Sequence, residues 1–458
     1  MQKTEMAMRN PTTLRHRLAA NLSFLLLCLM LPSSLKTQTA DPALVAEIAK
    51  IKAIDHHAHP LRVVRDGEPA DNEYDALALE EMEPFPNPVR IRPGNPEYIG
   101  AWHALYGYAH NDMAETHVRE MLEIKKRVMR EQGDSYPMWV LDRLGIEIMF
   151  ANRVAMGRGL VAPRFRWVSI VDPLLFPLSN EAARRENPDY RSFYAAEEKL
   201  LRRYLADSKV SSLPQTLEEY LSKVVTPTLE RQKRDGAIAV KFEVAYLRST
   251  DFAHVPLAAA KRVYARFIRV GEPPLAEYKQ LQDFLFRYLA QECGRLGLPV
   301  HIHITDGAGS YYDIRNANPS MLDPVFNDPA LRGTNFVIIH GGWPYTKVTA
   351  AYFGKPNVYA DFSALTFLLY PRALSEILRD WLEFYPERVL FGTDAFPATP
   401  EMNWEETGWL SVTTGRQALA IALSEMMNDG EITRERALEL ARMVLRENAI
   451  KLYNLQTQ

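Results

Sequence analysis

The sequence predicts an α/β fold, a TIM-like (β/α)8 barrel, on three observations. Eight short apolar runs alternate with helical segments, no glycine-rich phosphate turn follows any of them, and His, Lys and Asp collect at their ends. Alternating strand and helix gives a parallel sheet, and eight such units give a closed one. The alternative, an open doubly wound sheet, would need the glycine turn that is missing.

The first run is Lys52 to Pro60, with Asp55-His56-His57-Ala58-His59 at its end. Side chains alternate along a strand, so His57 and His59 project together while His56 points away. Two imidazoles on one side can grip one metal ion, which makes a His-x-His half-site completed from elsewhere in the chain. Taken alone, the pentad reads equally well as a histidine-rich turn stopped by Pro60. Asp55 shares the parity of the two histidines one layer deeper, which suits an orienting group.

A polar, proline-rich stretch follows from Arg62 to about Tyr98, long enough to be a lid, a binding loop or a subunit contact. A charged helix over Met113 to Gln132 leads to the second strand, Ile146 to Ala151, and the third, Arg166 to Val171. A helical insertion then fills Pro173 to Asp235, clearest over Ser192 to Leu205 and Leu217 to Lys233. Insertions are thus expected after strands one and three. The remaining runs are Ala237 to Phe242, Pro299 to Ile304, Asn335 to His340, Asn357 to Phe362 and Arg388 to Asp394. Helices are expected over Leu257 to Val270, Leu275 to Leu296 and Met321 to Phe326, and from Gly415 to Leu455 with a break at Asn428-Asp429-Gly430.

Barrel enzymes build their sites at the C-terminal ends of the strands. His57 and His59 end the first strand, Lys241 the fourth, His301 and His303 the fifth, His340 the sixth and Asp394 the eighth. One buried histidine is more often structural than a ligand, but seven such residues at one face make chance a poor account. Arg153 and Arg248, just after strands two and four, are candidates to clamp a substrate carboxylate, with an ordinary ion pair as the alternative. Trp343, Tyr345, Tyr311 and Tyr312 are candidates for the pocket mouth.

Together these motifs resemble the amidohydrolase superfamily, and within it the amidohydrolase-related branch of FluG-like N-terminal domains. The resemblance rests on IDHHAHP, VKFEVAYLR, LPVHIHITDG with ANPSMLDPVF, FVIIHGGWPY, PNVYADFS, VLFGTDAFP and ENAIKLYNL, in that order over residues 50 to 455. It implies a metal held by His57, His59 and Asp394, with His303 and His340 as ligands or catalytic groups. It places His303 rather than His301 in the site. Lys241 becomes a bridging ligand where it is carboxylated, and His340 a ligand where the centre is binuclear. Otherwise Lys241 is a lysine that binds an anion or pairs with an acid such as Glu243.

The cofactor implied is one or two divalent ions, zinc by preference, which bring the pKa of a bound water from about 15.7 toward about 7. Asp394 would then move the proton, and His340 would steady the developing oxyanion. The expected activity is hydrolysis of a C–N bond of amide type in a small molecule, one bearing a carboxylate if the arginines serve it. A metal-dependent decarboxylase is the alternative, and a non-catalytic periplasmic binding protein a third reading.

Composition bounds the rest. At 458 residues, 47% apolar and 24% charged, the chain can bury a large core. Arg9, Arg15 and Arg17 precede the apolar run Leu22 to Leu31, which Pro32, Ser33 and Ser34 end, so residues 1–40 read as a signal peptide and 41–458 as the barrel domain. Export to a periplasmic or extracellular space is expected, with no stable membrane insertion after cleavage. Loss of five basic and one acidic group would take the formal charge from −3 to −7, which excludes a default nucleic-acid binder. Cys293 would then be the single cysteine, leaving no intrachain disulfide. The partner expected is a small-molecule substrate, with homo-oligomerisation left open.

Overall fold

The eight apolar runs become eight parallel strands: β1 (Ala53–Ala58), β2 (Ile146–Arg153), β3 (Phe165–Ile170), β4 (Ala237–Phe242), β5 (Val300–His303), β6 (Phe336–Ile339), β7 (Val358–Asp361) and β8 (Val389–Leu390). Each pairs in parallel with the next in sequence order. The computed structural model describes residues 40–77, 82–84, 86–269, 271–307 and 309–456. The expected signal peptide lies outside the described residues. Among them no helix is long and apolar enough to cross a membrane.

Backbone bonds beyond the two-residue β8 close the barrel. The His56 N–H donates to the Phe391 carbonyl at 3.1 Å, the Asp394 N–H to the His57 carbonyl at 2.7 Å and the His59 N–H to the Ala395 carbonyl at 2.7 Å. The first and last strands are thereby stitched through the residues the sequence marks as chemical.

Two apolar layers hold the structure. The larger lies between strands and helices, and the smaller fills the barrel with Ile54, Ile148, Phe150, Val168, Ile238, Val337, Ile339 and Leu390. The closing helix Asn448–Tyr453 plugs the mouth at the strand N-termini, where Ile450, Leu452 and Tyr453 pack on the inner layer. The Asn448 side-chain amide fixes it by donating to the Pro386 and Val389 carbonyls, both at 2.8 Å.

Both insertions occur where expected. After β1 come an irregular stretch and the helices Glu97–Tyr106, Glu115–Gln132 and Tyr136–Leu144. After β3, Leu217–Tyr220 passes through a π-helical turn, Leu221–Val225, into Thr226–Arg234. Pro227 lacks an N–H and crowds the preceding turn, and a wider turn there accommodates it. The C-terminal helix begins earlier than the apolar period suggests, at Trp404, because Asn403 and Glu406 form a capping box.

The plug generates a stability prediction. The Tyr453 ring meets Phe150 edge-on at 4.7 Å and its hydroxyl hydrogen-bonds His301 Nε2 at 2.6 Å. Tyr453→Ala is expected to destabilise the chain by about 3 kcal/mol through lost packing. Tyr453→Phe, which leaves the imidazole unpaired, should cost about 1 kcal/mol. Denaturant unfolding of the full chain checks both, and equal stability of all three proteins would contradict the plug.

Candidate metal centre and active-site cavity

The seam between β1 and β8 draws three predicted ligands together. One nitrogen of His57, one of His59 and one carboxylate oxygen of Asp394 all lie within 4.8 Å of one another. His57 Nε2 is 3.1 Å and His59 Nε2 3.5 Å from Asp394 Oδ1. Asp55 holds this geometry from beneath. Its carboxylate accepts from the Thr393 N–H at 2.9 Å, the Thr393 hydroxyl at 2.5 Å and the His57 N–H at 3.3 Å. Burial pushes the Asp55 carboxyl up to about 7 despite those bonds. It faces Thr393 rather than the cavity.

Lys241, His303 and His340 stand around the triad. Lys241 Nζ is 3.4 Å from His57 Nε2 and 3.7 Å from Glu243 Oε1. The His303 ring lies 4.8 Å from that of His340 and 4.2 Å from that of Tyr246, centroid to centroid. His303 Nε2 is buried without a hydrogen-bond partner among the described residues. The His340 backbone N–H donates to Asp361 Oδ1 at 2.6 Å, and its Nδ1 bonds Ser363 Oγ at 2.9 Å. Both His340 and Asp394 have positive φ, 64° and 55°, a backbone that side-chain-bearing residues rarely adopt.

Electrostatics favours the neutral form of His57, His303 and His340 around an ionised Asp394. Burial, followed by the Lys241 cation, holds His57 well below the ordinary histidine range, and burial with His340 and Lys241 does the same for His303. Burial also lowers His340, outweighing the pull of Asp394 and Asp361. His59 goes the other way, because Asp75 and Asp394 outweigh the effect of burial and raise it. Burial works to raise Asp394 too, yet His340 and the bonds to His57 and His59 keep its carboxyl well below the usual range. A metal ion needs imidazoles that carry a free lone pair and a deprotonated carboxylate. These residues therefore fit a divalent ion as a donor set.

His56 and His301 belong to a layer below. His56 Nε2 pairs with Asp361 Oδ2 at 2.7 Å, and the His56 and His301 rings meet edge-on over Tyr453. A polar column thus runs from the plug through His56 and Asp361 to His340.

Above the triad opens a cavity of about 1490 Å³. Its base carries His59, Lys241, Glu243, His303, His340 and Asp394. Leu61, Val63 and Ile91 of the first insertion line its sides together with Phe367, Phe396 and Trp404. The volume exceeds the roughly 300–1,000 Å³ of common small-molecule pockets.

Several predicted substrate groups lie elsewhere. Arg153 is buried and commits its guanidinium to Asp71 Oδ2 at 2.9 Å and to the Pro60 and Ala155 carbonyls. Arg248 faces a separate cavity of about 230 Å³, where it donates to Asp283 and Gln282 and lies over Phe252. Neither lines the large cavity, because each has a nearer carboxylate. The arginines that do are Arg62, Arg65 and Arg130. Trp343, Tyr345, Tyr311 and Tyr312 are also absent from its wall. The site gains Asp75, whose carboxylate groups with His59 and Glu243 within 4.8 Å. Nothing in the irregular stretch around Asp75 marks that residue in the sequence.

Comparison with known proteins agrees with this geometry. Residues 228–455 match the family described as Amidohydrolase. The chain is 28% identical over 268 residues to the protein fluG of Emericella nidulans, a match spanning 55% of this chain and about 30% of that protein's length. Among solved structures it is similar to glucuronate isomerase from Caulobacter crescentus (TM-score 0.61, 13% identity, 91% of this chain and 94% of that one). It also resembles a Lactobacillus casei protein provisionally described as a metal-dependent hydrolase (TM-score 0.58, 16% identity, 90% and 97%). At such identities these structures share the barrel. With the family match, the ordered motifs and the His-x-His and Asp ends of a closed eight-stranded barrel all in place, the chain belongs to the amidohydrolase superfamily of metal-dependent enzymes.

Proposed function

We propose that the protein is a metal-dependent hydrolase that cleaves a C–N bond of amide type in an organic molecule held in the large cavity. The observation that carries the reading is the convergence of the buried His57 with His59 and Asp394 of the cavity base, ringed by Lys241, His303 and His340. His57, His59 and Asp394 would hold a divalent ion, zinc being suited to two imidazoles and a carboxylate. When bound, such an ion supplies Lewis acidity and a water acidic enough to ionise near neutral pH.

The chain's own groups supply the rest. Asp394, kept ionised by its neighbours, accepts a proton from the attacking water and delivers it to the departing nitrogen. His303 Nε2, buried and unpaired among the described residues, is available to the substrate carbonyl oxygen. His340 is held in place by Asp361 and Ser363 with its Nδ1 4.0 Å from Asp394 Oδ2, where it stabilises the ionised carboxylate. Lys241 Nζ lies 3.7 Å from Glu243 Oε1 and 3.4 Å from His57 Nε2, and it is read as an ordinary lysine paired with that acid, so the centre is read as mononuclear. We further propose that residues 1–40 act as a signal for export and that the enzyme works outside the cytoplasm.

Chelation should abolish amide turnover and a divalent ion restore it, whereas His57→Ala should not be restorable; activity indifferent to chelation would overturn the metal. Asp394→Asn should lower kcat by about 10²–10⁴-fold, the usual contribution of a general base. Carbon dioxide release from acids without amide turnover in a broad substrate panel would instead assign a decarboxylase. Elemental analysis should find one ion per chain in both wild type and Lys241→Ala, while two ions falling to one would establish a carboxylated bridge.

A further inference from the structure

The first insertion does more than wall the cavity. Residues 71–75 run across the site like a strap, fixed at one end and laid on a ligand at the other. At the fixed end Asp71 meets Arg153 at 2.9 Å and accepts from the Arg62 N–H at 2.8 Å. The Glu73 carbonyl accepts from the Val154 N–H at 3.0 Å and its carboxylate pairs with Arg203 at 2.6 Å. Arg153 and Val154 sit at the end of β2, so the strap is bolted to the barrel frame. At the other end His59 Nδ1 lies 3.2 Å from the Tyr74 carbonyl and 3.4 Å from Asp75 Oδ2.

Two acceptors at Nδ1 put the ring proton there, which leaves the Nε2 lone pair toward Asp394, 3.5 Å away. A carboxylate behind a ligating histidine fixes its tautomer and ring plane and raises its basicity. We propose that Asp75 is the positioning residue for His59 and that the Arg153–Asp71 pair anchors the strap that delivers it. This rests on the reading of His59 as a metal ligand. The buried Arg153 thus serves the site indirectly, through the strap.

The test is metal affinity, measured on the chelator-treated full chain by competition between a chromophoric chelator and Zn²⁺, with Co²⁺ absorption reporting ligand geometry. Asp75→Ala should weaken Zn²⁺ binding by roughly 10–100-fold and alter the Co²⁺ spectrum. Asp75→Asn, which keeps an acceptor but loses the charge, should fall between Asp75→Ala and wild type. Breaking one partner of a buried pair risks unfolding, so the anchor is tested by Arg153→Met combined with Asp71→Asn. That pair should weaken binding as well, and less than additively with Asp75→Ala, because both act through one strap. Affinity within two-fold of wild type in Asp75→Ala would overturn the proposal. Wild type that binds no Zn²⁺, or binds it equally well in His57→Ala, would overturn the underlying metal reading instead.

Discussion

The whole site depends on the seam at which β1 meets the far end of β8. Three backbone hydrogen bonds and the Asp55 clasp on Thr393 hold that seam, and the same few residues present His57, His59 and Asp394. The donors therefore sit on or just past the two strands that close the barrel, and closing it assembles them. The positive φ of Asp394 is tolerable for the same reason. Such a backbone costs about 1–3 kcal/mol and persists only where its surroundings over-determine it. Here the Asp394 N–H is taken by the His57 carbonyl, and the neighbouring Thr393 is gripped twice by Asp55.

A second layer of restraint runs down the barrel axis. His340, also at positive φ, is held by Asp361, which pairs with His56, which lies against His301 and Tyr453. Ionisable groups buried this deeply are tolerated because each meets a partner. The column joins the plug at one mouth of the barrel to the floor of the cavity at the other. Its hydrogen bonds and ion pair offset part of the cost of desolvation, and they fix the groups above it.

Much of this was legible in the sequence, for identifiable reasons. Strands buried on both faces are continuous apolar runs, so all eight could be located, and period-two alternation separated His56 from His57 and His59. The rule that sites form at strand ends put Asp394 at the same barrel face, and the family resemblance grouped it with them as ligands. What escaped depends on contacts between distant segments. Arg153 and Arg248 sit at strand ends as a substrate clamp would, yet each faces a carboxylate, Asp71 or Asp283, whose approach no local pattern reveals. Asp75 lies in an irregular stretch without period, and only the strap's anchorage brings it to His59. The early start of the Trp404 helix was written in Asn403 and Glu406, but the stronger apolar period downstream masked that cap.

The most direct test of the seam as a metal centre is anomalous diffraction from crystals of the zinc-loaded protein, collected on both sides of the zinc edge. A peak is expected about 2.0–2.2 Å from one nitrogen each of His57 and His59 and from an Asp394 carboxylate oxygen. No bound zinc, or a peak away from that triad, such as one between His59 Nδ1, Asp75 and Glu243, would contradict it.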